Sequence, residues 1–112
     1  MQKFVILYLS PVSAREQMAH ATPEQMQGGM AEWLKWREKA QKAVVDFGAP
    51  LASGKHIESE NVSAGELTIT GYSIVQANSI DDAVKLLKGH PHFKTPGRAS
   101  IEVLEFVPMP GT

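Results

Sequence analysis

The chain opens with Lys3 to Leu9, an unbroken run of apolar, β-forming residues that Ser10-Pro11 ends. Its length and punctuation predict a strand with apolar side chains on both faces. Two helix starts follow. Ser13-Ala14-Arg15-Glu16 has capping-box form and predicts a short helical turn over 13–19, and Thr22-Pro23 sets proline at the first position of a main helix expected from 23 to about 47. Met26, Met30, Trp33, Ala40, Val44 and Phe47 recur at spacings of three, four and seven and predict its core-facing row, with Arg37 as the polar member. Gly28-Gly29 interrupts that helix, which predicts a kink there or the close approach of another backbone. Gly48 and Pro50 supply a left-handed cap and a stop.

Leu51 to Ile57 reads as a second strand, with Ser63-Ala64-Gly65 as a turn. Leu67 to Ala77 alternates and reads as a third strand, in which Gly71 marks a bulge or a close contact. Ser79 caps a second helix with Ile80, Ala83, Val84 and Leu87 on its apolar side. Residues 89–99, with His90-Pro91-His92 and Pro96-Gly97, read as a loop, and Ile101 to Val107 as the last strand. The tail from Pro108 to Thr112 has no strand character, and neither repeats nor a linker divide residues 1–112, so one domain is expected.

The order β-α-β-β-α-β is that of the split βαβ, or ferredoxin-like, unit. It predicts an α+β domain: a four-stranded antiparallel sheet, both helices on one face, the first and third strands central. Those two strands carry apolar side chains front and back: Phe4, Ile6 and Tyr8 against Val5, Leu7 and Leu9, and Tyr72 and Ile74 against Leu67, Ile69 and Val75. Helices cover only one such face. At about 25 cal/mol per Å² the other would forfeit many kcal/mol in water, which predicts a homodimer through the sheet.

Composition narrows the function. The 11 basic and 12 acidic residues leave no charge excess for nucleic acid or an anionic membrane. The absence of cysteine excludes disulfides, thiolate metal sites and a cysteine nucleophile. No apolar run approaches the ~20 residues of a membrane span. With no signal-peptide pattern before Phe4 either, a cytoplasmic location is the expectation.

Candidate chemistry is sparse. His90 and His92 can act as general bases near neutrality, and against this stands a loop role in which Pro91 holds the chain extended and His92 packs on Phe93. Adding His56 or His20 gives no closed zinc spacing, so neither metal nor cofactor is expected. Asp46, at the expected helix end, faces an opposing macrodipole, which points to a raised-pKa acid or to an exposed partner of Lys42. Tyr8 and Tyr72 are candidate ligand contacts from the central strands. Trp36 and Arg37 are candidates from the helix, with the two tryptophans on different sides of it.

The order of several short segments resembles the YCII-related proteins: Phe4 to Tyr8, Asp46-Phe47-Gly48 with Leu51 to Gly54, Gly71 to Ala77, Ser79 to Leu87, His90-Pro91-His92 and Ile101-Glu102-Val103. The resemblance implies a dimeric α/β barrel of ferredoxin-like fold. It departs from the family in two places. An Asp-Gly-Pro-Phe segment is missing, and Gln25 stands where smaller members carry a helix-one histidine, leaving Asp46 as the remaining half of a His–Asp pair. The implied function is small-molecule binding in a cavity between sheet and helices, with cofactor-free lyase- or isomerase-like proton transfer. The alternative is a non-catalytic dimerisation or interaction module.

Overall fold

The computed structural model describes residues 1–110 apart from 53, 65–68 and 96. Ser53 of the expected second strand, Gly65 of the expected turn, Leu67 at the expected start of the third strand, Pro96 of the loop, and Gly111 and Thr112 of the tail lie outside the described residues. The elements in chain order are β1 (Gln2–Leu9), α1 (Ala14–His20), α2 (Pro23–Ala40), β2 (Val44–Pro50), β3 (Lys55–Glu58), β4 (Asn61–Ala64), β5 (Ile69–Ala77), α3 (Ile80–Leu86) and β6 (Ser100–Glu105). Single 3₁₀ turns occupy Gln41–Ala43 and Pro91–Lys94.

Four strands form one antiparallel sheet in the order β2-β5-β1-β6, so the two most apolar strands are central. Phe4, Ile6, Tyr8 and Val75 project from one face and pack with Trp36 of α2 and with Ala83 and Leu87 at α3 into the buried core. Side chains alternate across a strand, so Val5, Leu7 and Leu9 fall on the opposite face, where they are only half-buried. Among the described residues no helix is long and apolar enough to cross a membrane.

The helix starts follow the expected chemistry. The Ser13 hydroxyl accepts from the Glu16 N–H, and Thr22 and Gln25 make a reciprocal capping box ahead of Pro23. The helix end does not. α2 stops at Ala40 rather than near 47, and Gln41 turns the chain with φ +48°. Val44 and Phe47, expected on the helix, stand in β2 instead. The β-branched pair Val44-Val45 gains more from pairing with β5 than from another helical turn.

The expected second strand over Leu51 to Ile57 is therefore displaced. Its place in the sheet belongs to Val44–Pro50, whereas among the described residues Lys55–Glu58 pairs only with Asn61–Ala64, as a separate two-stranded hairpin. Ser63 and Ala64, expected in a turn, belong to that hairpin, which bends at Ser59-Glu60, with Ser59 at φ +55°. On α3, Ala83 and Leu87 are buried as expected, but Ile80 and Val84 remain 43% and 52% exposed.

Among the described residues, nothing outside the helix lies within 4 Å of where a Cβ of Gly28 or Gly29 would stand, so none of their backbone approaches there. Gly71 is a close contact. A Cβ there would lie 3.3 Å from the Tyr8 ring, and the β1–β5 register shifts just beyond, between Tyr8 and Leu9.

Candidate functional site

The loop after α3 returns to the core through His90-Pro91-His92. Pro91 takes the first position of the 3₁₀ turn, where its missing N–H costs nothing. His90 caps that turn: its Nδ1 accepts the His92 main-chain N–H at 3.0 Å. The imidazole so fixed is 1% exposed. It stacks on Tyr8 at 5.0 Å between ring centroids and meets Trp33 and Trp36 edge-on at 4.6 and 4.5 Å.

A hydrogen-bonded chain runs inward from this ring. His90 Nε2 lies 3.3 Å from the Tyr8 hydroxyl, which lies 2.8 Å from Ser73 Oγ, and Ser73 donates to the Phe47 carbonyl at 2.7 Å. Its two ends set every proton. A main-chain N–H only donates and a carbonyl only accepts. His90 is therefore neutral with its proton on Nε2, that proton goes to Tyr8, and Tyr8 donates to Ser73. Burial, reinforced by the nearby His92, lowers the His90 pKa to about 4. Burial also raises Tyr8 to about 12, against the opposing effect of its Ser73 bond. The chain is closed and neutral at physiological pH, and it anchors the loop to the sheet.

His92 differs. It is 3% exposed, and its Nε2–H donates to the Leu9 carbonyl at 2.9 Å, which makes Nδ1 the acceptor nitrogen of the neutral ring. Among the described residues Nδ1 has no hydrogen-bond partner and no buried side-chain nitrogen or oxygen lacks one, so Nδ1 is not sealed. His92 lines a cavity of about 360 Å³ between the sheet and the first two helices. Tyr8, Thr70 and Gly71 contribute from the sheet, and Trp33, Met26 and Met30 from α2. An imidazole that reaches a largely apolar cavity and keeps one acceptor nitrogen unused can bind a donor or take a proton.

The remaining candidates separate. The Asp46 carboxylate accepts from the Gly48 N–H at 2.8 Å and from the Tyr72 hydroxyl at 3.3 Å. Tyr72 neighbours Ser73 in β5, and Ser73 points toward Tyr8, so the Asp46–Tyr72 pair lies on the opposite face from the histidines. The Asp46 charge, followed by the hydrogen bond and slight burial, raises the Tyr72 pKa. Asp46 belongs to a strand, so no helix macrodipole opposes it.

Trp36 is a core residue whose indole donates to the Leu86 carbonyl at 2.8 Å. Arg37 lies outside the cavity with its guanidinium 5.2 Å from the Phe47 ring centroid. The two tryptophans are not on different sides of α2: residues three apart are neighbours on a helix, and both rings reach His90.

Sequence reasoning missed Ser73 and the cavity role of Trp33. A small polar residue at a core-facing position of a central strand was the available signal for Ser73. Among the described residues no three His, Asp or Glu side chains gather as a metal-holding cluster. No protein-family model matches the chain, and no curated protein matches it.

Proposed function

We propose that the chain is a YCII-related, ferredoxin-like protein that binds a small molecule in the cavity between its helices and sheet. One observation carries this reading: the cavity of about 360 Å³ has His92 on its wall, with Nε2 fixed by Leu9 and Nδ1 unpaired. The volume falls in the range of roughly 300–1,000 Å³ usual for ligand pockets. His92 serves as the proton acceptor of cofactor-free, lyase- or isomerase-like chemistry. His90 and Tyr8 hold its loop in place, and Asp46 fixes the bend of β2.

Gly29 gives the test. It lines the cavity and has open space where its Cβ would be. Gly29→Leu should fill the cavity while stabilising α2 by up to about 1 kcal/mol, since leucine is the better helix former. Compounds that raise the melting temperature of the wild type should lose that effect in the variant. A variant that binds them equally well places their site elsewhere.

The second reading, a dimerisation or interaction module, draws on the outer face of the sheet. Val5, Leu7 and Leu9 are half-buried there, and Leu104, paired with Val5, is 46% exposed. The strand order β2-β5-β1-β6 supports a dimeric α/β barrel in which a second copy covers this face. A cytoplasmic setting, suited to a chain without cysteine, is part of the same proposal.

The mass in solution at micromolar concentration should be that of two chains. Leu7→Glu, which sets a charge in the apolar interface, should weaken association by a hundredfold or more, on the order of 3 kcal/mol. A wild-type chain that sediments as a monomer at ~100 µM would end the dimer proposal and leave the cavity reading intact.

A further inference from the structure

We infer that the cavity takes an uncharged, mainly apolar ring compound that donates a hydrogen bond, from a phenol, enol or ring N–H, to Nδ1 of His92. The inference rests on the cavity being the binding site, and it names the class of ligand that this cavity selects.

Three features of the wall carry it. The first is charge. Among the described residues no Asp, Glu, Lys or Arg lines the cavity, and the titratable side chains that reach it from the core face are Tyr8 and His92. An ionised group taken from water into such a wall finds no counter-ion, and an unpaired buried charge is among the costliest things a protein can hold. Carboxylates, phosphates and amines are selected against.

The second feature is the apolar surface. Met18, Met26 and Met30 are 50%, 46% and 53% exposed, yet all three border the cavity. Flexible thioethers close over flat rings and make favourable sulfur–aromatic contacts. Trp33 and Phe47, edge to face at 6.3 Å, offer the facing aromatic wall. The volume of about 360 Å³ lies at the lower end of the roughly 300–1,000 Å³ usual for ligand pockets, which suits a small ring compound.

The third feature is polarity. His92 presents an acceptor because Leu9 consumes its donor. The Tyr8 proton is committed to Ser73, the Thr70 hydroxyl to the Tyr8 carbonyl and the Gln17 amide N–H groups to Val12 and Ser10, which leaves the Thr95 hydroxyl, able to donate or accept, beside the acceptor-only nitrogen of His92. A ligand donor is the complement that His92 requires.

The wild-type protein tests this by calorimetric titration at pH 7 with 2-naphthol, 2-methoxynaphthalene and 2-naphthoate. The three share a ring system and differ in donor and charge. The expected order is 2-naphthol first, the methyl ether at least tenfold weaker because it lacks the donor, and the carboxylate weakest. His92→Phe should remove the preference for naphthol over its ether. Should that variant fail to fold, Met30→Lys serves instead: it adds a cation at the cavity and should raise naphthoate affinity at least tenfold. Naphthoate or the ether binding the wild type as tightly as naphthol overturns the ligand class while leaving the cavity as a binding site. Failure of all three at millimolar concentration, with no difference between wild type and Gly29→Leu, overturns the cavity reading itself.

Discussion

Acidification from pH 6.5 to about 4 should cost the fold about 3 kcal/mol through His90 alone. The histidine is lowered from its ordinary value of 6.5 to about 4 by burial, with the nearby His92 adding to the effect. The direction follows from which state binds the proton first. As pH falls through 6.5 the unfolded chain protonates this residue while the folded chain does not, so the unfolded state gains. The stabilisation is complete above pH 6.5, declines through the interval, and is exhausted below about 4, where both states carry the proton.

Geometry gives the same sign. Nδ1 is the only site left for a second proton, and it already accepts the His92 N–H at 3.0 Å. Protonation would expel that N–H and release the cap of the 3₁₀ turn. Urea unfolding of the wild type at several pH values, beside His90→Phe, measures the effect. The variant should start less stable, because the His92 N–H loses its acceptor, but its pH dependence should be flatter by about 3 kcal/mol across the same interval. Equal losses in both proteins would mean that His90 titrates normally and that the closed chain through Tyr8 and Ser73 does not exist as described.

Much of this arrangement could be read from the chain, and what could not has identifiable causes. Phe4 to Leu9 and Tyr72 to Ala77 were legible because β-branched and aromatic residues run without a breaker, and such strands belong at the centre of a sheet. Ser13, Thr22 and Ser79 were legible as caps, and their hydroxyls accept the expected main-chain N–H groups. The end of α2 was hidden by a coincidence of spacing. Val44 and Phe47 follow Ala40 by four and seven residues, the helical interval, and Gln41, Lys42 and Ala43 are good helix formers. The turn falls at Gln41, a residue that rarely adopts positive φ.

That displacement carried Asp46 away from a helix end. It also turned an argument about a macrodipole into one about a strand bend. The histidines were legible as residue types, but their division of labour was not. It depends on which ring nitrogen meets a main-chain group: His90 meets the N–H of His92 two residues on, but the carbonyl that His92 meets belongs to Leu9, far away in sequence, and only packing brings it there.

Gly48 is where the strand bend can be tested most severely. It was expected to be a helix cap and does have the positive φ that a cap needs, +84°, but it stands in β2 against β5. A Cβ built there would lie 1.7 Å from the Tyr72 carbonyl oxygen and 2.6 Å from its carbon. Neither atom is the tip of a flexible side chain, so the strands themselves must separate. The left-handed conformation costs a non-glycine residue about 1–2 kcal/mol, and forced overpacking about 1–3 more. Gly48→Ala should therefore lose roughly 2–5 kcal/mol, a fall in melting temperature on the order of 15 °C for a chain of this size.

The damage should reach the site as well. Ser73 donates to the carbonyl of Phe47, the residue just before the clash, so moving β2 outward breaks the acceptor end of the chain that holds His90. Gly29→Ala is the control, since it adds the same methyl group to open space within a helix and should stabilise by up to about 1 kcal/mol. Melting curves for the two variants should shift in opposite directions. A Gly48→Ala protein that melts within 2–3 °C of the wild type, below the roughly 4 °C that a single kcal/mol would move it, would show that β2 does not approach β5 at this point.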